Sequence, residues 1–281
     1  MNELLRSALR CPVCGAAFAS ENNGKSLLCL GTKKRHCYDI SSSGYVNFAP
    51  PAQSRSGDSK EAVRARTGFL NGGFYALICE AVQDAVKKYA TGLVIDAGCG
   101  EGYYSSAMAE AADGVIGLDL SKFGVETAAK RTKGCENAFF GVAGIYAMPL
   151  ADACADGVVS IFAPCATEEF LRVLKKDGVL IVACAGKEHL LDLKKAVYDT
   201  TYENTEREDM PQGMTLIAEQ AVSYEIELVG NEAITNLFYM TPYFYRTGEK
   251  DMEKVRSLEQ LTTRVDVLVR VYQKNKERER P

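Results

Sequence analysis

The sequence predicts an α/β fold, a Rossmann-like and mostly parallel doubly wound sheet, preceded by a small β-rich module set with cysteines. Three features carry that expectation. From Leu93 onward, continuous apolar runs alternate with amphipathic stretches, the pattern of parallel strands covered by helices on both faces. A glycine turn, "DAGCGEG", follows the first of these runs. The opening of the chain is built otherwise: cysteines, a histidine and a basic run crowd the stretch from Cys11 to Phe48.

The 281 residues are 47% hydrophobic and 25% charged, which suits a globular chain with one large domain and one small one. A net charge of −4 excludes nucleic-acid binding by bulk charge alone. The charge is uneven, however. Before Gly68 there are ten lysines and arginines against five acids, which points to a local anionic partner. The chain opens MNELLRSALR, without the apolar run of a secretory signal, and no stretch is apolar for long enough to span a bilayer. Ten cysteines in such a chain argue for a reducing, cytoplasmic setting. Cys79, Cys99, Cys135, Cys154, Cys165 and Cys184 are scattered among apolar segments and read mostly as small core residues.

The first element is a metal module. Cys11 and Cys14 form a CxxC in "CPVCG", with Gly15 relaxing the backbone, so one tight turn delivers two thiolates to one ion. Cys29 follows in "LLCLG", beyond a turn at Asn23–Gly24 that joins two short strands. The fourth ligand is His36 or Cys37. Zinc wants four tetrahedral nitrogen or sulfur ligands, and a closed site folds a segment too small for a core of its own. A core separate from the large domain is therefore expected. A redox CxxC belongs at a strand–helix junction after a βαβ unit, whereas this one opens the chain.

"PPAQSRSGDSK" then reads as a polar linker or binding loop. A helix follows, capped by Asp58 or Ser59 and stopped at Gly72–Gly73, and "FYALICEAVQDAVKKYA" is a second. "GLVIDAG", "GVIGLDL", "AFFGVAG", "GVVSIFAPC" and "GVLIVACAG" are five strands, separated by helices at "SSAMAEAA", "KFGVETAAKRT" and "EEFLRVLKKDG". Right-handed crossovers give an open sheet with its ligand beyond the strand ends, at the topological switch point. Toward the carboxyl end, "SYEIELVG" and "TRVDVLVRVYQK" read as the last strands, with the helix "NEAITNLFYM" between them. "EREDMPQGMT" reads as a polar, mobile insertion and "KNKERERP" as a disordered tail.

The glycine turn selects the ligand. A dinucleotide fingerprint presents a helix terminus to a pyrophosphate. Here Gly98, Gly100 and Gly102 let the backbone approach a ligand, but Asp96 and Glu101 flank them and would repel a diphosphate. Those carboxylates suit an ammonium or sulfonium group, and Asp119 lies where an acid takes ribose hydroxyls. A nucleoside with a positive centre and no phosphate is S-adenosyl-L-methionine. In that reading Asp96 or Glu101 meets the methionine ammonium and Asp119 the ribose. Leu120, next to Asp119, joins the cofactor contacts, and Ala143, at the end of the third strand, meets the adenine edge. The motif and strand order resemble the class I methyltransferases.

The whole chain resembles one family within that class. "CPVC", "RHCYDISSSGYVNF", "GDSKEAVRAR", "FLNGGFY", "DAGCGEGYY", "GLDLSK", "IFAPC", "GKEHLLDLK" and "MTPYFYR" occur in the order found in bacterial 23S ribosomal RNA (guanine-N1)-methyltransferases of the RlmA type. The resemblance implies a zinc site of three cysteines and a histidine, on Cys11, Cys14, Cys29 and His36. It also implies that Tyr75 and His189 close over the methionine end, and that the substrate is a guanine N1 in a ribosomal RNA hairpin. The domains then read as a zinc-binding RNA-recognition module over 1–50, a linker and helix over 51–74, and the methyltransferase over 75–281. A homodimer is compatible with this reading.

Lys33, Lys34 and Arg35 would position RNA through its phosphates. The target guanine must leave its stack, and Phe162, Pro164, Tyr243, Phe244 and Tyr245 are candidate walls for it. No residue stands out as catalytic base. Two other readings are open. Cys165, after Pro164, is placed like the nucleophile of a cytosine-C5 methyltransferase. A non-catalytic zinc RNA-binding protein would also carry the module, but would have no use for an intact Asp96–Gly102 loop.

Overall fold

Alternating apolar residues divide the central strands between two faces, and this sets the architecture. Along β5 (Leu93–Ala97), Leu93, Ile95 and Ala97 enter one apolar cluster while Val94 enters another. The computed structural model describes residues 1–281 except 22–23, 33, 51–56, 202, 205–210 and 276–281. Asn23, Lys33, residues 51–56 of the linker, all of "EREDM" and the end of the tail lie outside the described residues.

The chain begins with helix α1 (Glu3–Ala8), capped by the Asn2 side chain, an element the sequence reading left unassigned. A three-stranded antiparallel sheet follows: β1 (Phe18–Glu21), β2 (Ser26–Cys29) and β3 (Cys37–Asp39). The two-residue β4 (Val46–Asn47) leaves that module and joins the edge of the large sheet. Helix α2 (Lys60–Asn71) is capped by Ser59, whose hydroxyl accepts from Ala62 N, and α3 (Ala76–Tyr89) follows it.

The αβ alternation then runs β5, α4 (Tyr103–Ala109), β6 (Gly114–Asp119), α5 (Lys122–Arg131), β7 (Ala138–Val142), β8 (Ala155–Ile161), α6 (Thr167–Val173) and β9 (Leu174–Ala185). "LKKDG", read as the end of a helix, opens β9 instead. After α7 (Leu191–Val197) comes the long strand β10 (Met214–Val229). Then α8 (Asn231–Met240), a 3-10 turn at Phe244–Arg246, α9 (Glu249–Ser257) and β11 (Gln260–Lys274) complete the fold. The large sheet has eight strands in the order β10-β11-β9-β8-β5-β6-β7-β4. From β4 to β9 neighbours run parallel; β10 and β11 are antiparallel. The order reverses at β5, between β6 and β8, and this opens the crevice where a ligand binds.

The metal module does not have a core of its own, which corrects the expectation from sequence. Leu5, Leu9, Phe18, Leu27, Val46 and Phe48 belong to the same buried cluster as Leu93, Ile95, Ile116 and Phe139 of the sheet. Aromatic rings bridge the two parts: Phe18 lies 6.0 Å from Phe48, and Phe48 lies 6.5 Å from Phe139. Four short strands cannot bury enough apolar surface alone, so the module borrows the sheet's face. Leu27→Ala, at a fully buried position of this cluster, should cost about 2–5 kcal/mol. Chemical unfolding should remain one transition; a separate early step confined to the module would contradict the shared core.

Candidate functional site

Past the end of β5 the backbone turns back at once. Gly98 N and Cys99 N both donate to Leu118 O, at 2.8 and 3.1 Å, and tie the turn to the neighbouring strand. Gly98 and Gly100 have φ of 88° and 52°, conformations that a side chain disfavours. Gly100 N donates to Asp119 Oδ2 at 3.0 Å, and Ser121 N to Asp119 Oδ1 at 2.6 Å. One carboxylate therefore fixes the loops after β5 and β6 against each other.

These loops border a cavity of about 760 Å³. Nine of the ten residues predicted to contact cofactor line it: Tyr75, Asp96, Gly98, Gly100, Glu101, Asp119, Leu120, Ala143 and His189. Gly102 does not, and the structure gives it another task. A Cβ there would come within 2.6 Å of Ala128 Cβ, so Gly102 permits close packing of α4 on α5.

Three acids meet here under different conditions. Asp96 is 2% exposed; burial raises it to about 7, against the hydrogen bond that Ser105 Oγ donates to its Oδ2 at 2.5 Å. Glu101 is also pushed up by burial, and its Oε1 lies 3.5 Å from the Arg131 guanidinium. Burial raises Asp119 too, partly offset by its two backbone donors. Of the two acids proposed for an ammonium group, Glu101 already has a cation, while Asp96 is held by a neutral hydroxyl.

The opposite wall is aromatic. His189 Nδ1 accepts from Asp266 N at 3.2 Å, so in the neutral ring Nε2 carries the proton. That Nε2 lies 3.3 Å from Tyr75 Oη. Burial lowers His189 to about 4, which keeps the ring neutral near pH 7. Phe162 stacks on His189 at 5.4 Å with φ of 50°, in the left-handed region that a Phe rarely occupies. Phe162, Pro164 and Tyr243 line the cavity, whereas Phe244 stacks on Tyr239 and Tyr245 reaches Asp58, outside the lining. Cys165 is likewise outside it, 3.5 Å from Thr167 Oγ1 at the start of α6, which leaves the cytosine reading without its nucleophile in the cavity.

Sequence reasoning missed Arg66, Asp58, Tyr104 and Asn204, all in the lining. Arg66 is paired with Asp58 at 2.6 Å and reaches over Gly100. Asn204 Nδ2 donates to His189 O at 2.7 Å, and its Oδ1 accepts from Tyr243 Oη at 3.3 Å. Only the helix-cap reading of Asp58 had drawn attention to any of them.

At the other end of the chain, ligand atoms of Cys11, Cys14, Cys29 and His36 all lie within 4.8 Å of one another. A tetrahedral zinc with bonds of about 2.3 Å to sulfur and about 2.0–2.1 Å to nitrogen requires ligand separations of about 3.8 Å for S···S and about 3.6 Å for S···N. The Cys14 and Cys29 sulfurs are 3.7 Å apart, and His36 Nδ1 is 3.5 Å from Cys11 Sγ and 3.4 Å from Cys29 Sγ. The donor set and its spacing fit zinc. His36 N donates to Cys29 Sγ at 3.0 Å, the largest cause lowering that thiol to about 6 and so favouring the thiolate a metal needs. Cys37, exposed on β3, lies outside this cluster, whereas His36 is within it.

A family model described as "Methyltransferase domain" matches residues 90–248. The chain is 30% identical, over 281 residues, to a Bacillus subtilis (strain 168) protein named "Putative 23S rRNA (guanine-N(1)-)-methyltransferase YxjB", covering 94% of this chain and 96% of the relative. It is 34% identical over 205 residues to a protein of Micromonospora griseorubida of the same description, covering 66% of this chain and 68% of the relative. It is also 30% identical over 197 residues to the "23S rRNA (guanine(748)-N(1))-methyltransferase" of Streptomyces fradiae, covering 67% of each.

Two measurements test the site. Because burial raises Asp96 above its unfolded value, its contribution to stability is fully present below about pH 4 and is lost as pH rises through about 7. Thermal melts of cofactor-free protein between about pH 4 and about pH 8 should fall with pH more steeply in wild type than in Asp96→Asn. Parallel curves would place the titration elsewhere. The purified chain should carry about one zinc, and Cys14→Ala should lose it. With the core shared, that loss should lower the melting temperature of the whole chain; unchanged metal content would argue against the cluster.

Proposed function

The chain belongs to the family of 23S rRNA (guanine-N(1)-)-methyltransferases, and from that premise we propose that it methylates N1 of a guanine in a hairpin loop of large-subunit ribosomal RNA. The observation that carries the proposal is the crevice at β5: two buried acids and a half-buried third, a neutral aromatic wall and glycines that admit a ligand to the backbone. S-adenosyl-L-methionine, when bound, supplies an electrophilic methyl group.

In this reading Asp119 takes the ribose hydroxyls, and Leu120 and Ala143 border the adenine. Gly98 and Gly100 let backbone approach the nucleoside. Asp96 balances the ammonium, and Tyr75 with His189 encloses the methionine end. Phe162 and Pro164 face the incoming base. Guanine N1 would accept that methyl group and release its proton to solvent. An in-line displacement of this kind draws mainly on positioning.

Cys11, Cys14, Cys29 and His36 would hold a zinc, which would fix the module in place. A groove of about 840 Å³ between module and sheet is bordered by Arg10 and Tyr146 and shares Ala143 and Tyr146 with the crevice, which supports a path for RNA to the cofactor. Lys34 and Arg35 are exposed on the module and suit phosphate contacts. Among the described residues no helix is long and apolar enough to cross a membrane, and a ribosomal RNA substrate supports a cytoplasmic setting.

The test is primer extension on unmodified 23S RNA incubated with the chain and cofactor. A methyl group on N1 blocks Watson–Crick pairing, so one new cofactor-dependent stop next to a guanine is expected. Methyl transfer without a stop, or transfer to cytosine, would defeat the assignment.

A further inference from the structure

Two buried side-chain oxygens have no hydrogen-bond partner among the described residues, Tyr104 Oη and Thr263 Oγ1. Thr263 sits on β11 between the core residues Leu261 and Val265 and does not line the crevice. Tyr104 does line it. A buried hydroxyl without a partner is costly, and natural proteins tolerate few of them. One that borders a ligand cavity is accounted for if the ligand brings its partner.

The neighbourhood identifies that partner. Burial pushes Tyr104 well up, and Tyr75 is the next cause, so the two phenols share one part of the crevice. The hydrogen-bond circuit leaves the Tyr75 proton available: Asp266 N donates to His189 Nδ1, and His189 Nε2–H then donates to Tyr75 Oη. Two O–H donors therefore face ligand where no carboxylate accepts from either. Besides Arg66, the charged groups of the lining are four acids, Asp58, Asp96, Glu101 and Asp119, which would repel an anion. Arg66, the one Arg or Lys among the lining residues, is engaged by Asp58 and lies over Gly100 on the Asp119 side. S-adenosyl-L-methionine has one anionic group, the α-carboxylate of its methionine end, and the two phenols are buried donors suited to it.

We propose that Tyr104 is a cofactor-binding residue whose hydroxyl donates to the α-carboxylate of the methionine end, beside that of Tyr75. This rests on the cofactor reading above and extends it to a residue outside the predicted set.

Calorimetry of wild type and Tyr104→Phe with two ligands tests it. S-adenosyl-L-homocysteine carries the carboxylate; 5′-methylthioadenosine has the same nucleoside and thioether without it. Loss of a hydrogen bond to a charged group should weaken S-adenosyl-L-homocysteine by about tenfold or more in the variant. Affinity for 5′-methylthioadenosine should stay within about twofold, which also shows that the variant's crevice is intact. The ligand-free variant should melt no lower than wild type, since a phenyl ring leaves no hydroxyl unpaired. Equal S-adenosyl-L-homocysteine affinity in the two proteins, or equal losses for both ligands, would overturn the role of Tyr104 alone. A wild type that binds neither ligand would overturn the cofactor reading and this proposal with it.

Discussion

Asp119 accepts two backbone N–H groups, one from Gly100 and one from Ser121, and much of the crevice depends on that convergence. The glycine loop after β5 and the turn after β6 would otherwise be independent connections on the surface. Joined through one carboxylate, they present a fixed edge to a nucleoside. Ser121 extends the tie, because its hydroxyl donates to Asp58 O at 2.8 Å and brings the segment before α2 over the same edge. Gly57 has no room for a side chain there: a Cβ would lie 2.5 Å from Ser121 N. Asp58 then holds Arg66, which reaches back over Gly100. The mouth of the crevice is thus a closed ring of contacts around the carboxylate. If Asp119 also accepts ribose hydroxyls, it does so from a position fixed before ligand arrives, which lowers the ordering cost of binding.

The metal module follows a different economy. Its four strands are short and its ligands lie in the turn after α1, at the end of β2 and just before β3, so coordination supplies local rigidity while the sheet supplies apolar area. Phe18, Phe48 and Phe139 form a continuous aromatic path from the module into the sheet. β4 adds backbone pairing, with Val46 opposite Gly141 and Asn47 opposite Val142. Aromatic contact and strand pairing both act to hold the module in one place relative to the crevice.

What could be read from the sequence follows from where each signal resides. The five parallel strands were legible because burial on both faces demands uninterrupted apolar runs, and the ligand crevice followed from their order. β4 was not, since two residues carry no periodicity, and its pairing is set by β7, far away in the chain. Helix α1 was missed because six residues at a chain end give little pattern. His36 and Cys37 are adjacent in sequence, and only the strand geometry of β3 turns one toward the cysteines and the other to solvent. Gly102 looked like its neighbours Gly98 and Gly100, yet its constraint comes from Ala128 on another helix. Arg66 with Asp58, and the unpaired hydroxyl of Tyr104, are properties of tertiary contact for which residue type gives no sign.

The end of β7 connects the two halves of the molecule through backbone alone. Phe48 N donates to Val142 O, and the next residue, Ala143, donates its N–H to Asp119 O at 3.0 Å. One peptide group, through its Val142 C=O and its Ala143 N–H, thus links the strand leaving the metal module to the residue that organises the cofactor crevice. Ala143 also borders both the crevice and the groove beneath the module. A shift of the module along β7 would have to break these hydrogen bonds or carry the Asp119 loop with it. Buried backbone groups are costly to leave unpaired, so the second course is the cheaper one. The geometry of the metal module and that of the crevice edge are therefore set together, by the register of one short parallel pairing.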